Sequence, residues 1–421
     1  MPEKSLIYRQ GGDNMADNNT ITETLEFKTQ IHKAWDSTEQ RMALRKYPRR
    51  SITYDYYGIK PWQTQYLRAL AYAKQNEKIE IPLWHAACQL TEDAYTNFSH
   101  INVATGDLWQ FRGCSGIEFW HNDDQGGERY FLNALNSDGS LNLTEILEQD
   151  YPAQTTMIYP TAYGYLKQED NYSFYSSTVA NMQLNVELLD DYSITYLPTS
   201  FNEYNYEPWQ NKTPYQDALP ASYQGIDIFP LAPSWTNDLA ASFTRNANKL
   251  DNDVGLVKYD FKSIYTSETK DIEYVLASRS EINNFQRFFT KCKGCWKSFY
   301  APTWLSDMVL MEDAPKTQPY LMVEWPLYWQ YYSKMSRRKL VIIFFRDGTV
   351  RILPLAGYST DSTGKYGKVY LDAPLPAAVL RSEVVMISYL CRYRFNSDTL
   401  ITEYETTGIA TVSTSFLEVN A

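Results

Sequence analysis

The feature that most constrains this sequence is that it carries the same order of signals twice. Residues 23–165 and 255–421 each contain a polar turn, a strand, a short amphipathic helix and a Pro-x-Trp motif. Two hairpin-like segments with Asp/Gly turns follow in each stretch. Because repeated order over a long interval is the signature of a duplicated unit, the sequence predicts an internal tandem duplication. Paired copies of a small β module are typical of symmetric assemblies.

The front of each copy holds an alternating strand followed by a helix. Residues 51–56 and 271–276 alternate apolar and polar types and are rich in β-branched and aromatic residues, which is typical of half-buried strands. Pro61 suits the first turn of the first helix. In the second copy Ser278 precedes Glu281 by three positions, the spacing of a capping box.

Short motifs mark matching places in the two copies. In the first copy they are Glu39-Gln40-Arg41, Arg49-Arg50, and Pro82 with Trp84. In the second they are the helical stripe Phe285, Phe288 and Phe289, then Pro302 with Trp304, then the turn Asp347-Gly348. The order of these motifs aligns residues 37–41 with residues 267–270.

The back halves align through their turns. Asp347-Gly348 between apolar runs predicts a tight hairpin, and residues 117–120 and 129–131 are its counterpart. The order of motifs also aligns Tyr151-Pro152-Ala153 with Leu375-Pro376-Ala377, and residues 157–159 with residues 385–387.

These patterns predict a mainly β protein built from barrel or sandwich modules, each with a short flanking helix. The predicted organisation is a flexible N-terminal arm (1–22), a first module (23–165), a connector (166–254) and a second module (255–421). The connector is rich in Tyr, Asn, Pro and Asp and contains one alternating strand, 182–188. Either it wraps a neighbouring chain or it is an ordered linker. The 35 Tyr and 11 Trp suit both β cores and subunit interfaces.

The charge balance excludes a protein that holds nucleic acid through a basic face, since the net charge is −11. The basic run at residues 41–50 is the local exception, and solvated charges beside a strand are favoured there over phosphate binding. If the dispersed acidic residues of the middle segment lined a channel, they would repel DNA.

No catalytic, cofactor or metal constellation is evident. Cys292 and Cys295 form the one Cys-x-x-Cys, without the second ligand pair that a structural zinc site requires, so we predict ordinary reduced cysteines. Asp123-Asp124 and Asp190-Asp191 lie in predicted turns, where Asp is favoured for backbone reasons. We therefore expect no enzyme activity, no cofactor and no membrane span.

Several of these motifs resemble those of a known protein family. Glu39-Gln40-Arg41 with Arg49-Arg50 resembles the opening motif of the distal tail and baseplate hub proteins of long-tailed bacteriophages and gene transfer agents. The second copy is similar through residues 284–289 and 299–310, and the connector through residues 223–228 and 233–235. Arg346-Asp347-Gly348-Thr349 adds to the likeness, which covers most of residues 23–421.

The resemblance implies a structural virion protein at the phage tail tip, made in the bacterial cytoplasm and built on tail-tube-like β modules. It implies a ring that closes the tail tube and anchors receptor-binding or hub proteins. The expected partners are copies of the chain, the tail tube protein and the tape measure protein, with DNA only passing through the channel. Two modules in one chain allow either a trimer with pseudo-sixfold symmetry or a hexamer.

Two other functions stay open at this level. One is a carbohydrate-binding protein that recognises host sugars through exposed Tyr and Trp side chains. The other is a polysaccharide hydrolase, which would need two carboxylates facing each other across a cleft.

Overall fold

The chain is mainly β, as the sequence predicts. The computed structural model describes residues 20–420, apart from 60, 122–126, 168–170, 178, 191–218, 236–238, 245–246, 263–265, 325–331, 333–336 and 361–364. We call residues 20–190 the first half and residues 219–420 the second half.

The described residues of the first half form thirteen strands: β1 (Ile21–Glu26), β2 (Thr29–Lys33), β3 (Glu39–Ala43), β4 (Arg49–Ile59), β5 (Ile79–Pro82), β6 (Cys88–Gln89), β7 (His100–Asn102), β8 (Gly116–His121), β9 (Glu128–Leu135), β10 (Ser140–Leu143), β11 (Thr156–Leu166), β12 (Asn171–Phe174) and β13 (Ala180–Leu188). The described residues of the second half form fourteen: β14 (Ser222–Tyr223), β15 (Ile226–Asp227), β16 (Ala240–Thr244), β17 (Ala247–Leu250), β18 (Lys258–Phe261), β19 (Ser267–Leu276), β20 (Phe299–Pro302), β21 (Tyr320–Glu324), β22 (Leu340–Phe345), β23 (Val350–Thr360), β24 (Tyr366–Leu371), β25 (Val384–Phe395), β26 (Thr399–Tyr404) and β27 (Ala410–Glu418).

One α-helix flanks the described strands of each half, α1 (Pro61–Lys74) in the first and α2 (Arg279–Cys292) in the second. The capping chemistry expected for α2 is confirmed, because the Ser278 hydroxyl accepts a hydrogen bond from the Glu281 amide and the Glu281 carboxylate accepts one from the Ala277 amide. Lys293 caps the C-terminus of this helix, and its φ of 51° puts it in the left-handed region. Its Phe285, Phe288 and Phe289 side chains are buried, as the helical stripe predicts.

One antiparallel sheet runs through both halves. Eight strands pair in the order β12-β13-β4-β1-β26-β27-β19-β16. The halves meet where β1 pairs with β26, in a register from Ile21 opposite Tyr404 to Glu26 opposite Thr399. The sheet therefore does not end at the boundary between the halves.

Long strands connect this sheet to a second layer in each half. In the first half β11 pairs in turn with β8, β6, β5 and β13, and β8 continues through β9 and β10 to β7. In the second half β25 pairs with β22, β20 and β27, and β22 continues through β23 and β24 to β21. One hydrophobic cluster fills the space beneath the shared sheet in both halves.

The structure places β strands inside both segments that the sequence assigned to an arm and a connector. β1 begins at Ile21, within the predicted arm (1–22). β12 and β13 belong to the sheet of the first half, although they lie in the predicted connector (166–254). Residues 1–19 and 191–218 lie outside the described residues. Among the described helices, none is both long enough and apolar enough to span a bilayer.

Phe229 shows that the end of the predicted connector is core. Its side chain is fully buried, and its ring meets those of Tyr274, Phe285, Phe288, Phe299 and Phe416 at centroid distances of 5.1–5.8 Å. The segment before β16 therefore completes the core of the second half.

We expect Phe229→Ala to lower the free energy of unfolding by about 3–5 kcal/mol, because it leaves a cavity among five aromatic rings. Urea unfolding followed by tryptophan fluorescence measures this. Tyr72→Ala is the control, since Tyr72 is 91% exposed and its loss should change stability by no more than about 0.5 kcal/mol. Equal effects of the two substitutions would contradict the assignment of Phe229 to the core.

Candidate functional site

The most elaborate polar site in the described chain lies where the two halves join. We call this junction the internal seam: the β1–β26 strand pair together with the side chains that cross it. Glu23 of β1 points to the core side of the sheet and is fully buried. The sequence shows a signal for this, since Glu23 shares the phase of the buried Ile21 and Leu25.

Both halves supply partners to the Glu23 carboxylate. From the first half, Arg112 Nη2 donates a hydrogen bond of 2.7 Å to Oε1, and Arg50 Nη1 lies 3.5 Å from the same oxygen. From the second half, Gln286 Nε2 and Tyr404 Oη donate bonds of 2.8 and 2.9 Å to Oε2. The carboxylate is therefore shared between the halves.

Charge compensation keeps this buried carboxylate ionised. Burial by itself raises the pKa of Glu23, but the positive charges of Arg112 and Arg50 and the bond from Gln286 outweigh burial and lower the pKa to about 2. His85 Nε2 lies 3.7 Å from the carboxylate. Burial, joined by the positive charges of Arg50 and Arg112, lowers the pKa of His85 to about 3, so this imidazole is neutral at pH 7.

Arg50 belongs to this network and not to a solvated basic face. It is 1% exposed, and its guanidinium also binds Asp190 through Nη2–Oδ1 at 2.8 Å. The neighbouring Arg49 is exposed, and Arg45 pairs with Glu26 at 3.0 Å. The interpretation of residues 41–50 as solvated charges is therefore wrong for Arg50, because a buried carboxylate on the adjacent strand requires its charge.

The hairpin β2–β3 also crosses to the second half. Glu39 of this hairpin accepts two bonds from Arg394, at 2.8 and 3.1 Å, and Arg41 lies 3.8 Å from Glu39. Thr29 donates through its backbone amide and hydroxyl to the Asp398 carboxylate, at 2.6 and 2.8 Å. Gln40 lies between Glu39 and Arg41 and is exposed on β3. The Glu-Gln-Arg motif therefore lies at the internal seam.

Helix α2 packs against a short 3-10 segment of the first half, Thr105–Phe111. Asn283 donates to the Gly106 carbonyl at 3.1 Å and accepts a bond from Gln110. Trp109 Nε1 donates to Gln286 Oε1 at 3.0 Å. The polar face of α2 is thus buried against the other half, a role that the Phe-rich stripe by itself does not predict.

The Pro-x-Trp motifs lie at the C-terminal ends of β5 and β20. Trp84 is buried against Trp120 and Tyr159, and the Leu83 amide bonds the Pro160 carbonyl. Trp304 is buried against Phe344, and the Thr303 amide bonds the Tyr389 carbonyl. Pro82 and Pro302 are the last residues of their strands. These landmarks lie in the core, and the first of them is followed directly by His85, which reaches the Glu23 carboxylate.

The predicted hairpin at Asp347-Gly348 is confirmed. It joins β22 to β23, Gly348 has a φ of 84°, and Asp347 accepts bonds from the Thr349 amide and hydroxyl at 2.9 and 2.7 Å. This Asp is a turn residue, as its backbone role requires.

The opposite face of the eight-stranded sheet is mostly polar and acidic, with Tyr57, Val275 and Ile401 as exposed apolar side chains on it. It bears hydroxyl, amide and carboxylate side chains, including Thr53, Asn185 and Gln183, which bond one another or Asp55 across β4 and β13. Its charged residues are the acids Glu26, Asp55, Glu187, Asp271, Glu273 and Glu403 and the base Arg49. A face of this composition repels polyanions.

The cysteines form no ligand site among the described residues. All five are free and buried. Burial raises the pKa of the Cys292 and Cys295 thiols, that of Cys295 to about 12, so neither is a thiolate at pH 7. In the part of the chain that the structure describes, no group of three His, Cys, Asp or Glu side chains is placed to hold a metal ion.

No protein-family model matches this chain, and no curated protein matches it.

Glu23→Gln should lower the free energy of unfolding by about 3–5 kcal/mol, because it removes the carboxylate that Arg112 binds and leaves Arg50 with Asp190. Glu26→Gln on the same strand is the matched control. Its partner Arg45 is partly exposed, so the loss there should not exceed about 1 kcal/mol. Urea unfolding of the two variants measures these losses of stability. Similar losses for both variants would rule out a special role for Glu23.

The difference in stability between the native chain and Glu23→Gln should depend on pH. The folded pKa of Glu23 lies below its value of 4.5 in an unfolded chain, so its contribution of about 3 kcal/mol is complete above pH 4.5 and vanishes as pH falls through about 2. Urea unfolding from pH 6 to pH 2 should show the two proteins converging. A constant difference over that range would contradict an ionised Glu23.

Proposed function

We propose that this chain is a structural, non-enzymatic component of a phage tail tip, in which copies of the chain form a ring of repeated β modules. The observation that carries the proposal is the continuous sheet, in which one half joins the other edge to edge. The motif resemblance to distal tail and baseplate hub proteins supplies the biological setting.

The proposed duplication is supported by the strand pairing. Reading along the chain, β1 to β13 and β16 to β27 make the same sequence of pairings, including a β2–β3 hairpin and a β17–β18 hairpin. In the second half, Met308 takes the place of β6. Met308 forms a β-bridge with Ile387, and Cys88 of β6 pairs in the same way with Ile158.

Backbone details outside the regular strands support the same alignment. Ala94 exchanges two hydrogen bonds with Tyr151, and Ala314 does so with Val379. Asp93 accepts a bond from the Ala153 amide, and Asp313 accepts one from the Arg381 amide, both at 2.7 Å. Asn97 and Thr317, at the matching place in each half, have left-handed φ values of 69° and 72°.

This pairing corrects the alignment drawn from motif order. It matches Tyr151 with Val379 and not with Leu375, and Ile158 with Ile387. Glu39 corresponds to Val257 in the β17–β18 hairpin, so residues 37–41 do not match residues 267–270. Motif order missed these registers because short motifs do not show which strands pair.

The internal seam gives the proposed ring its geometry. β1 is an outer strand of the first half's share of the sheet, and β26 is the opposite outer strand of the second half's share. Joining unlike edges is a heterologous contact, and repetition of such a contact generates a closed ring when the rotation between modules closes. With two modules in each chain, both three-chain and six-chain rings are compatible with the proposal.

The polar face of the sheet suits the lining of such a ring. Its excess of carboxylates over bases would keep DNA from adhering while it passes. We propose the tail tube protein, the tape measure protein and receptor-binding or hub proteins as the axial partners, and the virion tail tip as the location.

A second candidate function, carbohydrate binding, is supported by one groove of about 520 Å³ beside β16. Trp235, 56% exposed, lines this groove together with Ser and Thr side chains and with Asp271 and Glu273. An exposed tryptophan above polar groups can stack on a sugar ring. Saturable binding of host surface polysaccharide that is lost in Trp235→Ala would favour this function over a purely structural one.

Electron microscopy of the purified protein, with native mass spectrometry, tests the proposal. We expect rings of threefold or sixfold symmetry, and antibody labelling of phage particles at the distal end of the tail. Isolated monomers at micromolar concentration, together with unlabelled tails, would reject the structural role.

A further inference from the structure

The two ends of the eight-stranded sheet are edges that the described chain leaves open. Among the described residues, β12 pairs with β13 alone and β16 pairs with β19 alone. By the alignment above, β12 is the counterpart of β26 and β16 is the counterpart of β1. The open edges are thus the same two edges that meet at the internal seam.

The open edges carry large apolar side chains. Phe243 on β16 is 60% exposed, and its counterpart Leu25 is buried at the internal seam. Phe174 on β12 is 57% exposed, and its counterpart Tyr404 is also buried there. Exposed aromatics on an unpaired strand edge mark a surface that another chain covers.

The side chains at the open edges are complementary to one another, although they differ from those of the internal seam. Glu23 is replaced by the small Ala241, and Thr402, its partner across the seam, is replaced by the large Tyr172. Gln286, which bonds Tyr404, is replaced by Arg68, whose guanidinium lies 5.6 Å from the centre of the Phe174 ring. A small residue facing a large one can fill the same space as Glu23 and Thr402.

The β2–β3 and β17–β18 hairpins differ in the same way, with an ionic contact in the first and apolar side chains at the matching positions of the second. The β17–β18 hairpin stands exposed, where its counterpart β2–β3 packs on the second half. Glu39 corresponds to Val257 and its partner Arg394 corresponds to Tyr165. Val257 and Tyr165 are 41% and 43% exposed. An ion pair at the internal seam is thus matched by two half-exposed apolar side chains at the open edges.

We propose that β16 of one copy pairs antiparallel with β12 of the next copy, in the register of the internal seam, with Ala240 opposite Ser173 and Ala241 opposite Tyr172. The β17–β18 hairpin then covers Tyr165 of that next copy. This inference rests on the proposed assembly of repeated modules, and it names the surface by which a second copy of this chain is bound. The contact is a strand addition, in which backbone bonds give affinity and the apolar side chains give specificity.

Disulfide trapping tests the register. Residues directly opposite each other in an antiparallel pair have Cα atoms about 4.5–5.5 Å apart, within the range that a disulfide accepts. We expect Ser173→Cys with Ala240→Cys to form an oxidised ladder of linked chains on a non-reducing gel, whose largest band gives the number of chains in the ring. The native cysteines contribute no background, since all five are buried.

Two matched double variants control this experiment. Thr22→Cys with Glu403→Cys joins an observed pair of the internal seam, so it should form a disulfide within one chain without a change in mass. Ser173→Cys with Ala241→Cys places the thiols on opposite faces of the sheet and should give at least tenfold less interchain product.

The possible outcomes distinguish a failure of the proposed β16–β12 pairing from a failure of the proposed function. A ladder from the Ser173/Ala240 pair alone supports the β16–β12 seam. Rings seen by microscopy, with no more linkage in this pair than in the opposite-face control, would overturn the seam and leave ring assembly standing. A protein that is monomeric by native mass spectrometry and unlinked at every concentration tested would overturn both.

Discussion

Glu23 is a charge that the fold cannot bury without bringing its two halves together. Removing a carboxylate from water costs several kcal/mol, and this one recovers the loss only because Arg112, Arg50, Gln286 and Tyr404 all reach it. Two of these partners come from each half, so neither half by itself satisfies the site. The β1–β26 pairing and the docking of α2 meet that shared requirement, and the bonds of Glu39 to Arg394 and of Thr29 to Asp398 add the β2–β3 hairpin to the same seam.

The chemistry of the internal seam and that of the open edges differ for a physical reason. Joining two halves in one chain raises their effective concentration, so a polar seam that demands exact geometry can form within the chain. Under our proposal the seam between copies must form from separate molecules, and burial of Phe243, Phe174, Val257 and Tyr165 supplies the hydrophobic driving force for that step. A wrong pairing of β1 with β12 would leave Glu23 facing the larger Tyr172, with Phe174 in place of the hydroxyl that Tyr404 supplies.

The proposed function rests on assembly and not on a catalytic centre. Donors from both halves satisfy the Glu23 carboxylate, and the buried thiols are protonated. What faces outward is a polar, acidic sheet and two edges with apolar side chains. Under our proposal, these are the properties of a surface that copies of the chain build together.

The sequence by itself determined the features that depend on neighbouring residues. Alternation predicted strand 182–188, Asp347-Gly348 predicted a hairpin, and Ser278 with Glu281 predicted a helix start. The two similar modules that the repeated motif order indicates stay a prediction. Register, burial of charge and the role of the connector were decided only by tertiary structure. A strand pattern of period two is the same whichever distant strand it meets, so no local signal aligns Tyr151 with Val379, buries Arg50 beside Glu23, or carries Phe229 from a polar segment into an aromatic core.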